Sequence, residues 1–139
     1  MTLADRLAAL HADAFDGPSR WSSGAFRSAL ENPHCFLTLS ETDTGGPIDG
    51  FALGRCVADE AELLTLLVAD GRKRQGLGRD LLAQFEAAAR VRGAQAVFLE
   101  VSAENAAARA LYDRSGWRLV GQRSGYYEGV DALAMRKDL

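Results

Sequence analysis

Arg72-Lys73-Arg74-Gln75-Gly76-Leu77-Gly78-Arg79 stands between an apolar run, Glu62 to Ala69, and a segment whose Leu81, Leu82, Phe85, Ala88 and Ala89 recur at helical spacing. A strand that passes through a basic, glycine-containing loop into a helix makes an anion-binding corner. The first turn of a helix has unpaired N–H groups and a partial positive charge. Glycine lets a phosphate approach the backbone without meeting a Cβ. Arg72, Lys73, Arg74 and Arg79 add charge suited to a ligand carrying several phosphates. Two nucleotide-binding readings fail on the letters. Gly71 and Gly76 satisfy the first half of a P-loop, but Leu77-Gly78 stand where Lys and Ser/Thr are required. A dinucleotide fingerprint needs a third glycine where Leu81 stands. A solvated basic turn ahead of an amphipathic helix is the structural alternative.

Downstream of the loop, the helix is expected to run from Gly76 or Leu77 to Arg92, with Gly93 closing it. Ala96 to Val101 is apolar on both faces, the mark of a buried parallel strand covered by helices. A helix from Glu104 or Asn105 to Arg114 follows and stops at Gly116. Trp117 to Gln122 and Ala132 to Arg136 read as two closing strands joined by a glycine-containing turn. Upstream, Leu3, Leu7, Leu10 and Ala14 put one apolar face on a helix from Leu3 to Phe15, which Gly17-Pro18-Ser19 breaks. Ser22 or Ser23 can cap a second helix through Phe26 and Leu30, ended by Asn32-Pro33. Cys35 to Ser40, Ile48 to Val57 and Glu62 to Ala69 then form an antiparallel meander, with a turn over Thr42 to Pro47. The sum is an α/β fold, a mixed sheet with helices on both faces and one βαβ unit. No linker or repeat divides it, so residues 1–139 are expected to form a single domain.

Composition narrows the function classes. The formal net charge of −3 argues against a general nucleic-acid or membrane binder, with positive charge concentrated at the glycine loop instead. Cys35 and Cys56 form no CxxC pair, and two isolated cysteines suit a reducing cytoplasm. The N-terminus reaches Asp5 at once, without a leader-like apolar run, and the apolar stretch Leu63 to Ala69 is far short of a membrane span. His11 and His34 have no partner at metal-ligand spacing, so no metal is expected.

Lys73, Gly76 and Gly78 resemble the acetyl-CoA signature of the GNAT acetyltransferase superfamily, Gln/Arg-x-x-Gly-x-Gly/Ala, with lysine in the first slot. The resemblance extends through Leu99-Glu100-Val101, Asn105 to Tyr112, Ser115-Gly116-Trp117, Gly125-Tyr126-Tyr127 and Asp131 to Met135. Together these look like the RimI branch, N-α-acetyltransferases that modify the N-terminus of a ribosomal protein. The resemblance implies a GNAT-like sheet, acetyl-CoA as donor and a protein or peptide N-terminus as acceptor, a ribosomal protein among the candidates. The family's first edge strand has no counterpart ahead of Leu3, so Cys35 to Ser40 is expected at an exposed edge through which chains could associate. The segment from Tyr127 to Asp131 is shorter than in RimI relatives.

Residue by residue, the resemblance makes Glu100 the general base, acting through water, and Tyr112 the general acid beside the sulfur of CoA. Glu100 stands on an otherwise apolar strand, where partial withdrawal from water favours proton uptake; a structural ion pair is the alternative. Glu60 and Glu62 are fallback bases. Leu66 and Val68 match the strand whose backbone holds the pantetheine arm, the Val68 amide polarising the acetyl carbonyl. Lys73, Arg74, Gln75, Gly76, Gly78 and Arg79 would hold the pyrophosphate, and Asn105 would reach CoA or cap its helix. Trp21, Phe26, Tyr126 and Tyr127 could wall an acceptor groove. Near pH 7 an α-amine costs about 1 kcal/mol to deprotonate and a lysine roughly 4.6 kcal/mol, so one modest carboxylate suits an α-amine better. The expected reaction is direct attack in a ternary complex, since no cysteine lies in the matched catalytic strands. The alternatives are transfer to lysine or a small-molecule amine, and a non-catalytic acetyl-CoA sensor.

Overall fold

Thr2 caps the first helix by accepting from the Asp5 amide, while the Asp5 carboxylate accepts from the Thr2 amide. This reciprocal cap starts α1, Leu3–Ala14, in the computed structural model, which describes residues 1–15, 20–41, 46–73, 75–127 and 129–139. Ser22 caps α2, Ser23–Glu31. The strands β1, Cys35–Glu41, β2, Ile48–Val57, and β3, Glu60–Val68, form the expected meander. A single 3₁₀ turn, Asp70–Arg72, leads to α3, Leu77–Val91, followed by β4, Ala96–Ser102, and α4, Ala106–Arg114. The chain closes with the hairpin β5, Arg118–Tyr127, and β6, Val130–Asp138. The break at Gly17-Pro18-Ser19 and most of the turn after Ser40 lie outside the described residues.

The strands are ordered β1-β2-β3-β4-β6-β5, with β1 and β5 at the edges. All neighbours are antiparallel except β3 and β4, the parallel pair that α3 connects. Leu81, Leu82, Phe85 and Ala89 of α3 pack with Val97, Leu99, Val101, Tyr112 and Trp117 on one face. Ala4 and Leu7 of α1 and Phe26 of α2 pack with Phe51, Leu53 and Leu67 on the other. Helices therefore cover both faces, as expected for the α/β class.

Two expectations need correction. On α1, Leu3 and Ala14 are exposed, and the buried stripe is Ala4, Leu7 and His11. Its periodicity was hidden because one member is a histidine. The closing hairpin is also longer than expected, for β5 runs on through Arg123, Ser124 and Gly125. Its residues are mostly exposed, so no alternation of apolar letters marks it.

Two irregularities open the sheet. Parallel pairing of β3 with β4 covers only Glu60–Glu62 against Ala96–Phe98. Just beyond, Leu53 and Gly54 of β2 face Thr65 and Leu63 of β3, leaving Leu64 as an extra residue in β3. A bulge of this kind switches the faces that following side chains occupy. Before it, Ala61 and Leu63 pack on the α3 side; after it, Leu66 and Val68 do so, while Leu67 turns to the α1–α2 side. Gly54 opposite the bulge has no room for a Cβ, which would lie 2.5 Å from Phe85 Cε1 and 2.7 Å from Phe36 Cζ.

Candidate active site

Where β3 and β4 part, a cavity of about 510 Å³ opens between them. Leu66 of β3, Glu100 of β4, Asn105 at the start of α4 and Tyr112 within it all line this space, as do Tyr126 and Tyr127 from β5. The two sides differ. Leu66, Leu99, Val101 and Tyr112 belong to the α3 core, whereas alternation along β4 turns Glu100 to the opposite face. The cavity thus runs through the split sheet, with a carboxylate on one face and a phenol on the other.

The backbone of β3 is available to this cleft. The Ala69 amide donates to Asp49 O at 2.7 Å, so residue 69 points its polar groups toward β2. By antiparallel alternation, Val68 and Leu66 direct theirs away from β2; of the two, Leu66 lines the cavity and Val68 lies beyond its lining. The loop that follows ends on Gly76, the N-cap of α3, which holds φ 78° and lacks any side-chain cap. Such a φ suits glycine, and the uncapped first turn leaves its amides unpaired by side chains. Gly78 packs inward, where a Cβ would meet Leu111 Cδ2 at 3.4 Å. Arg72 pairs with the buried Asp49 at 3.5 Å, Lys73 with Asp70 at 3.0 Å, and Arg79 with Asp80 at 3.9 Å. Three of the loop's basic side chains are thus paired with carboxylates, while the amides of the first turn of α3 have no side-chain cap. Gln75 is exposed beside them; Arg74 lies outside the described residues.

Glu100 is less withdrawn from water than expected. Its side chain is 33% exposed, and Arg123 Nη2 donates to Oε1 at 2.7 Å. The ion pair anticipated as an alternative therefore exists, in a residue that also lines the cavity. Tyr112 is buried, which pushes its phenol up to about 12 and keeps it protonated. Burial likewise raises Tyr127, with Glu100 adding to the effect. Asn105 accepts from the Ala108 amide at 3.2 Å and lines the cavity, so it caps α4 and faces the site at once. Glu62 borders the same space. Glu60 borders instead an adjoining hollow of about 460 Å³, shared with Arg55, Glu62, Glu100 and Arg123.

The expected aromatic wall is partly different. Trp21, Tyr126 and Tyr127 line the cavity, but Phe26 is fully buried behind Trp21, their ring centroids 5.1 Å apart. Phe15, His11 and Thr65 take part in the wall and were not anticipated. No local signal announces them, since Thr65 lies 54 residues from His11 and its direction depends on the bulge.

A strand-split sheet with this loop and helix start defines a class. Residues 5–117 match the Acetyltransferase (GNAT) family, and the chain belongs to that family. It is an N-acetyltransferase of the GNAT type. The N-alpha-acetyltransferase RimI of Mycobacterium tuberculosis is 38% identical over 141 residues, covering 97% of this chain and 86% of that protein. The [ribosomal protein bS18]-alanine N-acetyltransferase of Escherichia coli is 35% identical, over 91% of this chain and 84% of that one. The crystal structure of the ribosomal-protein-S18-alanine N-acetyltransferase from Escherichia coli superposes with a TM-score of 0.81 at 33% identity, covering 99% of this chain and 90% of that one. The fold is shared also by Arabidopsis thaliana NAA60 in complex with acetyl-CoA, at a TM-score of 0.84 and 21% identity, over 98% of this chain and 93% of that one.

Proposed function

We propose that residues 1–139 form a single acetyltransferase domain that takes acetyl-CoA as donor and acetylates the N-terminal α-amine of a protein. A ribosomal protein is the first candidate acceptor, because the bS18-alanine enzymes are among the relatives. The observation that carries this reading is the two-faced cavity, with Glu100 on one side and Tyr112 on the other.

In this reading the amides at the start of α3 bind the pyrophosphate, and the outward-turned backbone of Leu66 and Val68 holds the pantetheine arm. The acetyl carbonyl accepts from the Val68 amide, which stabilises negative charge as the amine adds. Lys73, Arg74, Gln75 and Arg79 supply further contacts to phosphate, and Asn105 contacts the donor while capping α4. Glu100 takes the proton released by the attacking amine, through a water. Arg123 fixes the position of that carboxylate through the 2.7 Å contact to Oε1.

Tyr112 hydrogen-bonds the sulfur that departs. Burial pushes its phenol up to about 12, so the proton is in place as the carbon–sulfur bond breaks. It then protonates the thiolate as the tetrahedral intermediate collapses, the general-acid role that the family resemblance implies. Neither Cys35 nor Cys56 borders the cavity, in keeping with direct transfer in a ternary complex. The reaction belongs in the cytoplasm, where acetyl-CoA and ribosomal proteins meet, and association through the β1 edge is the route proposed for oligomers.

The test is a peptide library incubated with acetyl-CoA and read by mass spectrometry. Acetylated α-amines on peptides beginning with small residues are expected. Exclusive modification of lysine side chains or free small amines would reject the acceptor. Glu100→Gln and Tyr112→Phe are each expected to slow turnover by roughly 100-fold or more with little change in CoA affinity. Near-normal rates in both would remove these roles.

A further inference from the structure

His11 is 1% exposed and borders the cavity, yet the transfer chemistry does not use it. Both ring nitrogens are occupied. The Trp21 amide donates to Nδ1 at 3.2 Å, and Nε2 lies 3.2 Å from Thr65 Oγ1. A backbone amide can only donate, so Nδ1 is the bare nitrogen and the ring proton sits on Nε2. Nε2–H therefore donates to the Thr65 hydroxyl oxygen. The ring is held by Phe15, stacked at 4.3 Å, and by the edge of Phe26 at 5.7 Å.

The consequence falls on Thr65. Its oxygen accepts from His11, so its own hydroxyl proton is left to donate elsewhere, and Thr65 borders the cavity. The bulge at Leu64 turned it to the α1–α2 side, the side that alternation also gives Glu100. A hydroxyl donor and the base thus share the acceptor half of the cavity. A donor to the attacking amine itself would tie up the lone pair needed for attack, so its useful partner is a carbonyl. An N-terminal α-amine carries a carbonyl on the adjoining carbon. A lysine ε-amine is followed by four methylenes and presents none nearby.

We infer that His11 is a positioning residue which ties Trp21 to β3 and aims the Thr65 hydroxyl at the first carbonyl of the acceptor peptide, selecting α-amines over ε-amines. This rests on the N-terminal reading above. Two substitutions separate the two hydrogen bonds. His11→Asn places a side-chain oxygen near the Nδ1 position and can keep the Trp21 bond, whereas His11→Gln places an amide N–H₂ near Nε2 and can keep the Thr65 bond. Thr65→Val removes the hydroxyl at constant shape, and Thr65→Ser restores it.

The measurement is steady-state kinetics with an alanine-initiated peptide, together with the KM for acetyl-CoA and the thermal midpoint. Thr65→Val is expected to raise peptide KM roughly 3- to 10-fold, the worth of one hydrogen bond, with kcat and the acetyl-CoA KM nearly unchanged. Thr65→Ser should recover most of the loss, and His11→Gln should stay closer to the parent in peptide KM than His11→Asn. An unchanged peptide KM in folded Thr65→Val overturns the inference while leaving N-terminal acetylation standing. Equal losses of kcat and donor affinity in every variant, tracking the thermal midpoint, would reduce His11 to a core residue and also overturn it. Failure of the parent enzyme to acetylate any α-amine instead removes the reading beneath it.

Discussion

Glu100 and Tyr112 reach one cavity from opposite faces of the sheet, and their environments push them toward different tasks. Glu100 keeps a third of its side chain in solvent and pairs with Arg123, so its carboxylate is reachable by water from the cavity side. Tyr112 is enclosed, so its phenol stays protonated until about 12. Tyr112→Phe should therefore lower kcat/KM by a similar factor across about pH 6 to 10, since no titration of this phenol falls in that window. A profile whose alkaline limb vanished in the variant would contradict it. His11 behaves differently because burial lowers it to about 4. The unfolded chain takes up a proton near 6.5 that the folded chain refuses until about 4, so stability falls as pH drops through that window. The full loss for one such group is roughly 3 kcal/mol. Urea unfolding at about pH 7 and pH 4.5 should show a shallower acid decline in His11→Gln than in the parent.

At the scale of elements, the bulge in β3 and the glycine facing it act together. Phe36 and Phe85 stack at 5.6 Å directly where a Gly54 side chain would project. Gly54→Ala should cost about 1–3 kcal/mol by overpacking, read as a lower denaturation midpoint. The βαβ crossover was legible in the sequence from β4, whose apolar run suits a strand packed under a helix; the structure covers the Val97, Leu99 and Val101 face and leaves Glu100 of the other face exposed. The bulge was not. Leu63-Leu64-Thr65-Leu66-Leu67 reads as continuous apolar strand in either register, and only pairing with β2 decides which residue is extra. The length of β5 was likewise hidden, because an edge strand with little buried face carries no period-2 pattern.

Across the molecule, an ion pair to a buried carboxylate joins parts distant in sequence. Lys137 of β6 meets Glu86 of α3 at 2.7 Å and also donates to Ser115 O at 2.8 Å, just beyond α4. Glu86 is buried, so Lys137→Met should leave an unpaired interior carboxylate and cost roughly 3 kcal/mol. The double variant with Glu86→Leu should recover most of that loss, a difference measurable by a denaturation cycle. These contacts hold α3, whose first turn forms the proposed phosphate site, against the strand that pairs with β4.

The amino-acid sequence by itself determined the element order and the strand-to-helix corner at Gly76 and Gly78, and its short motifs shared with the GNAT family pointed to Glu100, Asn105 and Tyr112 as candidates. Each of these is written locally, in helical or strand periodicity, in a turn residue, or in a short motif. The tertiary structure alone decided that β3 and β4 part after three paired residues and that Glu100 meets Arg123. It alone brought His11 to Thr65 across 54 residues and put Phe26 behind the wall rather than in it. Those outcomes depend on strand register and on which helix face turns inward. Register and facing are set by the packing of distant segments against one another, a quantity no local stretch of letters contains.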